Sequence, residues 1–407
     1  MLKKLSMFCI CIIMTVLCGT VCFGSIIITK DKGGQDTLNM PDTNSEGVLV
    51  VDTATGYTIY EKNIYKSLYP ASTTKIMTAM LVLDNAKLDE TVTFSHDAVF
   101  SIEKGSSAAF VDEGECLSVE QCLYGLMVIS ANDLANGLAE HVSGSIDKFA
   151  LLMNEKAKEL GCVDTHFTNP HGLYDDNHYT CVYDLGIMSL NAYINYDLYR
   201  LLIATELYEV PPTNKQEEIR YWANTNKLLN EYEKFYYPEC VGGKPGYTSE
   251  SGASLVSYAK INGRYIMIVT LGAQNATSVY TDHTNIYDYI KENVSEEYFT
   301  ELEQIYEANK GKFDENEDDT GNNDAEDVIS NNVVDKNASE QKSTSIFTII
   351  LRIIGVIFFV LIILYTILRI RLEIRRRRRR KRMLKKRRRQ RRLRGDLLID
   401  MNRKDKE

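Results

Sequence analysis

The stretch Tyr69-Pro70-Ala71-Ser72-Thr73-Thr74-Lys75 opens the apolar run around which the rest of the chain is arranged, and that run ends near Leu88. Pro70 and Ser72 predict a helix start, because proline fits the first turn and a small hydroxyl residue caps free N–H groups. The apolar residues that follow recur at helical spacing and indicate a buried helix: Ile76, Met77, Met80, Leu81 and Leu83. Ser72 and Lys75 are three residues apart and share one face, where the helix dipole favours a neutral lysine. The pair suits a nucleophile and its base, although S-x-x-K alone occurs by chance in many chains.

The charge of the chain is divided unevenly along its length. The 407 residues carry a formal net charge of −9, and 44% of them are hydrophobic, which is ordinary for a globular protein. From Arg369 onward there are 21 Lys and Arg against 5 Asp and Glu, a balance of +16, which leaves −25 for the remainder. A membrane separates charge in this way, because basic residues are held on its cytoplasmic side.

Both ends of the chain carry membrane-targeting patterns. Residues 1–25 place lysines before an apolar run and end in small residues, as in a secretory signal peptide or an uncleaved anchor. Residues 346–368 hold one charge, Arg352, and as a transmembrane helix would be roughly 34 Å long, enough to cross a bilayer. The basic segment 369–407 predicts a cytoplasmic tail that fixes topology and contacts anionic lipid, rather than a nucleic-acid arm. We therefore expect a single-pass membrane protein with its globular part outside the cell and no nucleic-acid partner.

Strand patterns lie at both ends of the globular part. Glu46–Asp52 predicts a strand, with Tyr57–Glu61 as its hairpin partner. Near the other end, Ser254–Lys260 and Arg264–Leu271 alternate as strands and are joined by Asn262-Gly263, a strong hairpin signal. One antiparallel sheet completed by distant segments is therefore expected.

Helices separate these strands, and polar segments flank the domain. Residues 118–196 are mainly helical in pattern, and a last helix is predicted over Thr277–Val294. The fold class expected is α+β, with the sheet flanked by helices in one domain over residues 46–297. Residues 26–45 are a polar spacer, and residues 298–345 are acidic and Asn-rich, which predicts a disordered tether.

Cysteine and histidine spacing favours no metal site. Outside the signal segment the cysteines are Cys116, Cys122, Cys162, Cys181 and Cys240. An odd number without a C-x-x-C pair argues against zinc and against a dense disulfide framework, while a single bridge from Cys116 to Cys122 stays open. A cluster of imidazoles and carboxylates fits no common zinc spacing: His166, His171, His178, Asp175 and Asp176. No metal and no other cofactor is expected.

Two further motifs accompany the serine and lysine. Ser130-Ala131-Asn132 lies at the junction of two helical segments, where a hydroxyl and an amide two residues apart can both face a cleft. Gly242-Gly243-Lys244-Pro245-Gly246-Tyr247-Thr248 is predicted to be a sheet edge where a ligand backbone approaches closely, with Lys244 presenting a cation to a carboxylate. Alone, the first motif is compatible with an ordinary helix end, and the second with a glycine-rich loop that carries a solvated lysine.

Together the three motifs resemble the S-x-x-K, S-x-N and K-T-G set of penicillin-interacting serine enzymes. Further stretches are similar to serine-type D-alanyl-D-alanine carboxypeptidases of peptidase family S11, the low-molecular-mass penicillin-binding proteins: Tyr124–Met127, Ser130–Asp133, Leu138–His141, Phe167–Leu173 and Asn224–Leu229. The resemblance spans residues 46–295 and implies a β-lactamase/DD-peptidase-like fold. It also implies removal of the terminal D-alanine from peptidoglycan stem peptides at the cell wall, with β-lactams as acylating inhibitors, in a Gram-positive-type bacterium.

The resemblance also implies a role for each motif residue. Ser72 would be the acylated nucleophile and Lys75 its general base, with Ser130 as proton relay. The remaining implied contacts are to substrate, through Asn132 to an amide and through Lys244, Gly246, Tyr247 and Thr248 at the edge strand. The backbone N–H groups of Ser72 and Tyr247 would form the oxyanion hole.

One motif position departs from the family. Pro245 stands where the family has threonine, which removes a hydroxyl and a backbone donor expected at the substrate carboxylate. Losing one such hydrogen bond costs roughly 1.5–3 kcal/mol in binding. Two alternatives therefore stay open beside the carboxypeptidase: a catalytically weakened penicillin-binding or peptidoglycan-sensing protein, and a β-lactamase. The sequence argues against the β-lactamase, because it shows no glutamate placed to activate a deacylating water.

Overall fold

A five-stranded antiparallel sheet joins the two ends of the globular part. The computed structural model describes residues 38–313. The strands are β1 (Gly47–Asp52), β2 (Thr58–Lys62), β3 (Thr91–Thr93), β4 (Cys116–Ser118), β5 (Leu207–Val210), β6 (Arg220–Ala223), β7 (Cys240–Thr248), β8 (Gly252–Ile261) and β9 (Arg264–Ala273). The main sheet has the order β2-β1-β9-β8-β7, so β1 pairs directly with β9 across more than 200 residues of sequence. Two small antiparallel pairs, β3-β4 and β5-β6, lie outside it.

Helices cover this sheet on both faces. They are α1 (Lys75–Asn85), α2 (His96–Phe100), α3 (Val119–Val128), α4 (Asn132–Ser143), α5 (Ile146–Glu159), α6 (Val182–Asn195), α7 (Asp197–Ala204), α8 (Ala276–Asn293) and α9 (Glu296–Phe313). Strand β1 is buried throughout, and its side chains alternate between two cores. Leu49 and Val51 belong to the core that contains α1 and α3–α6, whereas Val48 and Val50 pack with α8. The predicted α+β class with an antiparallel sheet is confirmed.

The predicted hairpin at Asn262-Gly263 is present between β8 and β9. Both residues have positive φ, 50° for Asn262 and 84° for Gly263. A two-residue turn of this kind matches the twist of the flanking strands, which is why Asn-Gly is preferred there. The turn fixes the β8–β9 register and so helps to position β7 beyond β8.

The helix that carries the serine begins differently from the prediction. Ala71–Thr74 form a 3₁₀ turn, α1 starts at Lys75, and the helix ends at Asn85 rather than near Leu88. Ser72 does not cap the helix, because no side chain caps either the turn or α1. Ala71 has a φ of 49°, a left-handed conformation that turns the chain so that the serine hydroxyl faces Lys75. The capping interpretation was wrong, while the face shared by the two residues is confirmed.

The first part of the expected tether is helical. Helix α9 begins at Glu296, and its Phe299 and Leu302 are buried against the core that contains α8. Arg264 donates to the Phe299 carbonyl at 3.1 Å and lies over its ring. Apolar residues three apart thus form one helical face within an acidic sequence, so disorder from residue 298 was the wrong prediction for this part.

Other predictions fall partly or wholly outside the described residues. The signal segment 1–25, the transmembrane segment 346–368 and the basic tail 369–407 lie there, as does the rest of the tether. Within residues 38–313 no helix combines the length and apolar character needed to cross a membrane. All five cysteines of this part are free thiols, so the Cys116–Cys122 bridge is not formed. These two residues stand on β4 and the neighbouring α3, where Cys116 Sγ instead lies 3.6 Å from Thr93 Oγ1.

Candidate active site

The serine and the lysine meet at the start of α1. Lys75 is fully buried, and its Nζ lies 3.0 Å from Ser72 Oγ. The same nitrogen is 2.7 Å from Asn132 Oδ1 and 2.7 Å from the His171 carbonyl oxygen. Those two oxygens can only accept, so a neutral lysine donates its two protons to them and directs its lone pair at the Ser72 hydroxyl. The arrangement is that of a base held against a nucleophile.

The electrostatic surroundings of Lys75 favour this neutral form. Burial lowers the pKa of Lys75 well below its ordinary value, and the nearby Lys244 lowers it further. The buried carboxylate of Asp133 acts in the opposite direction and raises it. A lysine that loses its proton below its usual range can serve as a general base near neutral pH.

The opposite wall is the corner between α3 and α4. Ser130 has a φ of 61°, a left-handed conformation that is uncommon for a residue other than glycine. Its Oγ is buried and has no hydrogen-bond partner among the described residues, although it lines the cavity. Asn132 opens α4, and because its Oδ1 accepts from Lys75, its Nδ2 is left to donate. Strain and an unpartnered hydroxyl at one corner are typical of a site built for a ligand.

The third wall is β7, the edge strand of the main sheet. A Cβ added at Gly246 would lie 2.8 Å from the Ser72 backbone nitrogen. The strand therefore lies so close to the serine turn that only glycine fits at this position. Pro245, Gly246, Tyr247 and Thr248 all line the cavity. The predicted substrate-binding strand therefore faces Ser72, as the motif spacing indicates.

Lys244 lies differently from its prediction. Its side chain is completely buried, its Nζ donates to the Pro245 carbonyl at 3.1 Å, and it is not among the residues that line the cavity. Burial lowers the pKa of Lys244 to about 7. The side chain of Lys244 is thus buried in the protein rather than exposed in the cavity, and its charge lowers the pKa of Lys75. The Thr248 hydroxyl also has a hydrogen-bond partner within the protein, since its Oγ1 lies 2.9 Å from Ser251 Oγ.

A loop that carries no catalytic motif completes the lysine site. The third partner of Lys75 is the backbone carbonyl of His171, which sequence patterns do not reveal. Gly172 follows with a φ of 85°, and a Cβ there would lie 1.8 Å from the Ala71 carbonyl oxygen. Only glycine fits so close to a backbone oxygen. The glycine within Phe167–Leu173 is the sequence feature from which this contact could have been predicted.

The histidines considered for a metal have protein partners instead. His178 Nε2 lies 2.8 Å from Thr74 Oγ1, behind the serine turn, and burial lowers the pKa of His178 to about 3. His166 Nδ1 lies 2.6 Å from the Asn177 carbonyl oxygen. Both therefore stabilise the loop that carries His171 and Gly172.

All three walls enclose one cavity of about 380 Å³. Among its lining residues are Ser72, Ser106, Ser107, Ser130, Asn132, Leu173, Thr225, Lys227, Pro245, Gly246, Tyr247, Thr248, Ser254 and Val279. A hydroxyl with a neutral lysine as its base, facing the edge strand of an antiparallel sheet, defines a class of protein. That class is the serine peptidases of the penicillin-interacting type.

Comparison with known proteins narrows the class to a family. Residues 35–275 match the D-alanyl-D-alanine carboxypeptidase family, and the chain belongs to it. It is 32% identical over 289 residues to the D-alanyl-D-alanine carboxypeptidase DacF of Bacillus subtilis, a match that covers 68% of this chain and 71% of that protein. A match to DacA of Haemophilus influenzae, at 33% identity, covers 56% of this chain but only 57% of that protein.

A solved structure shows the same fold. The Streptomyces K15 DD-transpeptidase superposes with a TM-score of 0.57 at 29% identity, over 62% of this chain and 98% of that one. The recognised family is confirmed, and with it a serine-type D-alanyl-D-alanine carboxypeptidase of cell-wall metabolism. The roles assigned to single residues stay predictions.

Proposed function

We propose that the chain removes the terminal D-alanine from peptidoglycan stem pentapeptides through an acyl intermediate on Ser72. One observation carries this proposal: Lys75 Nζ is held by two acceptor oxygens and faces the Ser72 hydroxyl at 3.0 Å. The family supports the choice of substrate.

The reaction proceeds in two halves. Ser72 Oγ attacks the carbonyl carbon of the penultimate D-alanine while its proton passes to neutral Lys75. The oxyanion forms beside Gly246, where the N–H groups of Ser72 and Tyr247 can donate to it. The C–N bond then breaks, and the departing amine of D-alanine takes a proton relayed by Ser130. Water afterwards attacks the ester and gives up a proton to Lys75. Lys75 returns that proton to Ser72 Oγ as the acyl C–O bond breaks and the shortened peptide leaves with a free carboxyl group.

A β-lactam would follow only the first half. Its strained amide acylates Ser72, but the ring's amine stays attached and blocks the approach of water. Fluorescent penicillin is therefore a direct probe of the nucleophile.

Two assays on the full-length protein test the proposal. Wild type should bind fluorescent penicillin covalently and release D-alanine from a pentapeptide stem, and Ser72→Ala should do neither. Labelling without release of D-alanine would favour the weakened binding or sensing protein. Rapid turnover of penicillin would indicate a β-lactamase.

The sensing role has one observation in its favour, because Pro245 and the buried Lys244 leave the edge strand with fewer donors than its motif requires.

We also propose that this domain faces the cell wall and is anchored by residues 346–368. The support is the charge pattern, a basic tail after an apolar segment and an acidic remainder. Protease added to intact cells should degrade the domain and spare an epitope placed after residue 407, whereas degradation of the epitope would contradict the topology.

A further inference from the structure

Two polar side chains of the cavity wall have no role in the reaction described so far. Lys227 is the one cationic side chain among the described residues that line the cavity. Ser254 is completely buried, lines the same cavity, and its Oγ has no hydrogen-bond partner among the described residues. A buried hydroxyl without a partner costs free energy unless a ligand supplies one.

The position of Ser254 relates it directly to the altered motif. In the register of β7 and β8, Ser254 stands opposite Gly246, and Pro245 directly precedes Gly246 on β7. Ser254 therefore offers a hydroxyl on the strand next to the altered motif position, and both residues line the cavity.

The segment that carries Lys227 is fixed between two walls of the site. Thr225 N donates to the Val128 carbonyl at 3.0 Å, close before the Ser130 corner. On the other side, a Cβ at Gly243 would lie 3.0 Å from Asn226 Nδ2, so the segment lies against β7. Tyr280 of α8 accepts from Lys227 N at 3.2 Å. The backbone of Lys227 is therefore held at the cavity, while its side chain is free to adjust.

The ammonium group of Lys227 is available to a ligand. Its nearest carboxylate is Glu233, with Nζ and Oε2 3.8 Å apart and both side chains about two-fifths exposed. Exposed pairs of this kind contribute little, so exchanging Glu233 for a substrate carboxylate in the cavity costs little. Lys244 is a poorer candidate for this role, because its Nζ already donates to the Pro245 carbonyl and the residue does not line the cavity.

We propose that Lys227 Nζ and Ser254 Oγ bind the α-carboxylate of the terminal D-alanine. The proposal rests on the proposed function, since it names the groups that recognise that substrate. A carboxylate with one charged and one neutral donor satisfies the Ser254 hydroxyl and compensates in part for the contacts that Pro245 removes. The enzyme would then select peptides with a free C-terminus through residues outside its three motifs.

A pair of substrates isolates this contact. Diacetyl-L-Lys-D-Ala-D-Ala and its C-terminal carboxamide differ only at the carboxylate, and KM and kcat are measured for both with full-length protein. Lys227→Met and Ser254→Ala should each raise KM for the acid about tenfold, the effect of losing one hydrogen bond to a charged group, and raise KM for the amide much less. Lys227→Arg should restore binding of the acid, and exposed Lys234→Met, the matched control, should behave as wild type. Equal effects on both substrates, or none, would overturn the proposal.

Binding separates this proposal from the proposed function. If wild type releases no D-alanine, the proposed function fails, but Ser72→Ala still permits equilibrium titration with both peptides. A lower Kd for the acid in Ser72→Ala that disappears in Ser72→Ala with Lys227→Met supports the carboxylate site. A preference for the acid that persists in the double variant overturns it.

Discussion

Gly246 and Ser72 approach each other so closely that a Cβ on the glycine would lie 2.8 Å from the serine's backbone nitrogen. The same Cβ would lie 3.1 Å from Ala71 Cβ and 3.2 Å from the Pro70 carbonyl oxygen. Two of these three neighbours are backbone atoms, which cannot rotate away as a long side chain can. A side chain at position 246 would therefore fill the space in front of the Ser72 N–H.

Gly246→Ala should abolish most acylation while the fold persists. The added methyl group occupies the predicted oxyanion position, and removing one donor of this kind slows acylation about a hundredfold or more. The rate of labelling by fluorescent penicillin measures the effect, and circular dichroism with the unfolding midpoint checks that the domain is intact. A variant that is folded and acylates at the wild-type rate would contradict this account of the strand.

The central features of the site follow from short-range sequence rules. Ser72 and Lys75 are adjacent because three residues make one turn, and the Asn262-Gly263 hairpin follows from the φ values those residues tolerate. The order of the motifs, combined with the family resemblance, places Ser130 and β7 around them.

Other features depend on contacts that no local pattern encodes. The third partner of Lys75 is a backbone carbonyl 96 residues away, at His171. Whether Lys244 Nζ faces solvent or protein is decided by what packs under β7, so its burial could not be predicted from the motif. Helix α9 was missed because Phe299 and Leu302 have a partner surface only once the sheet has formed.

Lys244→Met should move the acid limb of the acylation profile to higher pH. Lys75 acts when neutral, so the rate falls as the pH drops through the pKa of Lys75. The positive charge of Lys244 lowers the pKa of Lys75, and removing that charge raises it. The midpoint of this fall, measured from the pH dependence of penicillin acylation, therefore moves to higher pH whether or not the maximal rate changes. Exposed Lys234→Met is the control, and an unchanged or lower midpoint in Lys244→Met would show that the two lysines are not coupled.

Asp133→Asn should loosen the loop that forms one side of the cavity. The Asp133 carboxylate accepts from Ala109 N at 2.9 Å and Val111 N at 3.3 Å, which fixes the segment that contains Ser107. An amide at this buried position directs an NH₂ group at one of these donors, so the variant should lose about 1–3 kcal/mol of unfolding free energy. Urea titration measures this loss.

A matched control distinguishes the loss of these Asp133 hydrogen bonds from a general effect of charge in the first turn of a helix. Asp147 also lies in the first turn of a helix, α5, but is exposed, so Asp147→Asn should cost far less. Asp133→Asn also removes a charge that raises the pKa of Lys75, so its acylation limb should move to lower pH, opposite to Lys244→Met. Equal losses of unfolding free energy in Asp133→Asn and Asp147→Asn would show that the Asp133 hydrogen bonds do not stabilise the loop.

Pro245→Thr should improve substrate binding without changing the pH profile. Pro245 lines the cavity on the edge strand, where threonine adds a hydroxyl and a backbone N–H. One recovered hydrogen bond to a carboxylate corresponds to about a tenfold lower KM for the peptide acid. The carboxamide should gain much less, because its terminal group carries no charge. If KM for the acid does not fall, the interpretation of Pro245 as a lost substrate contact is wrong.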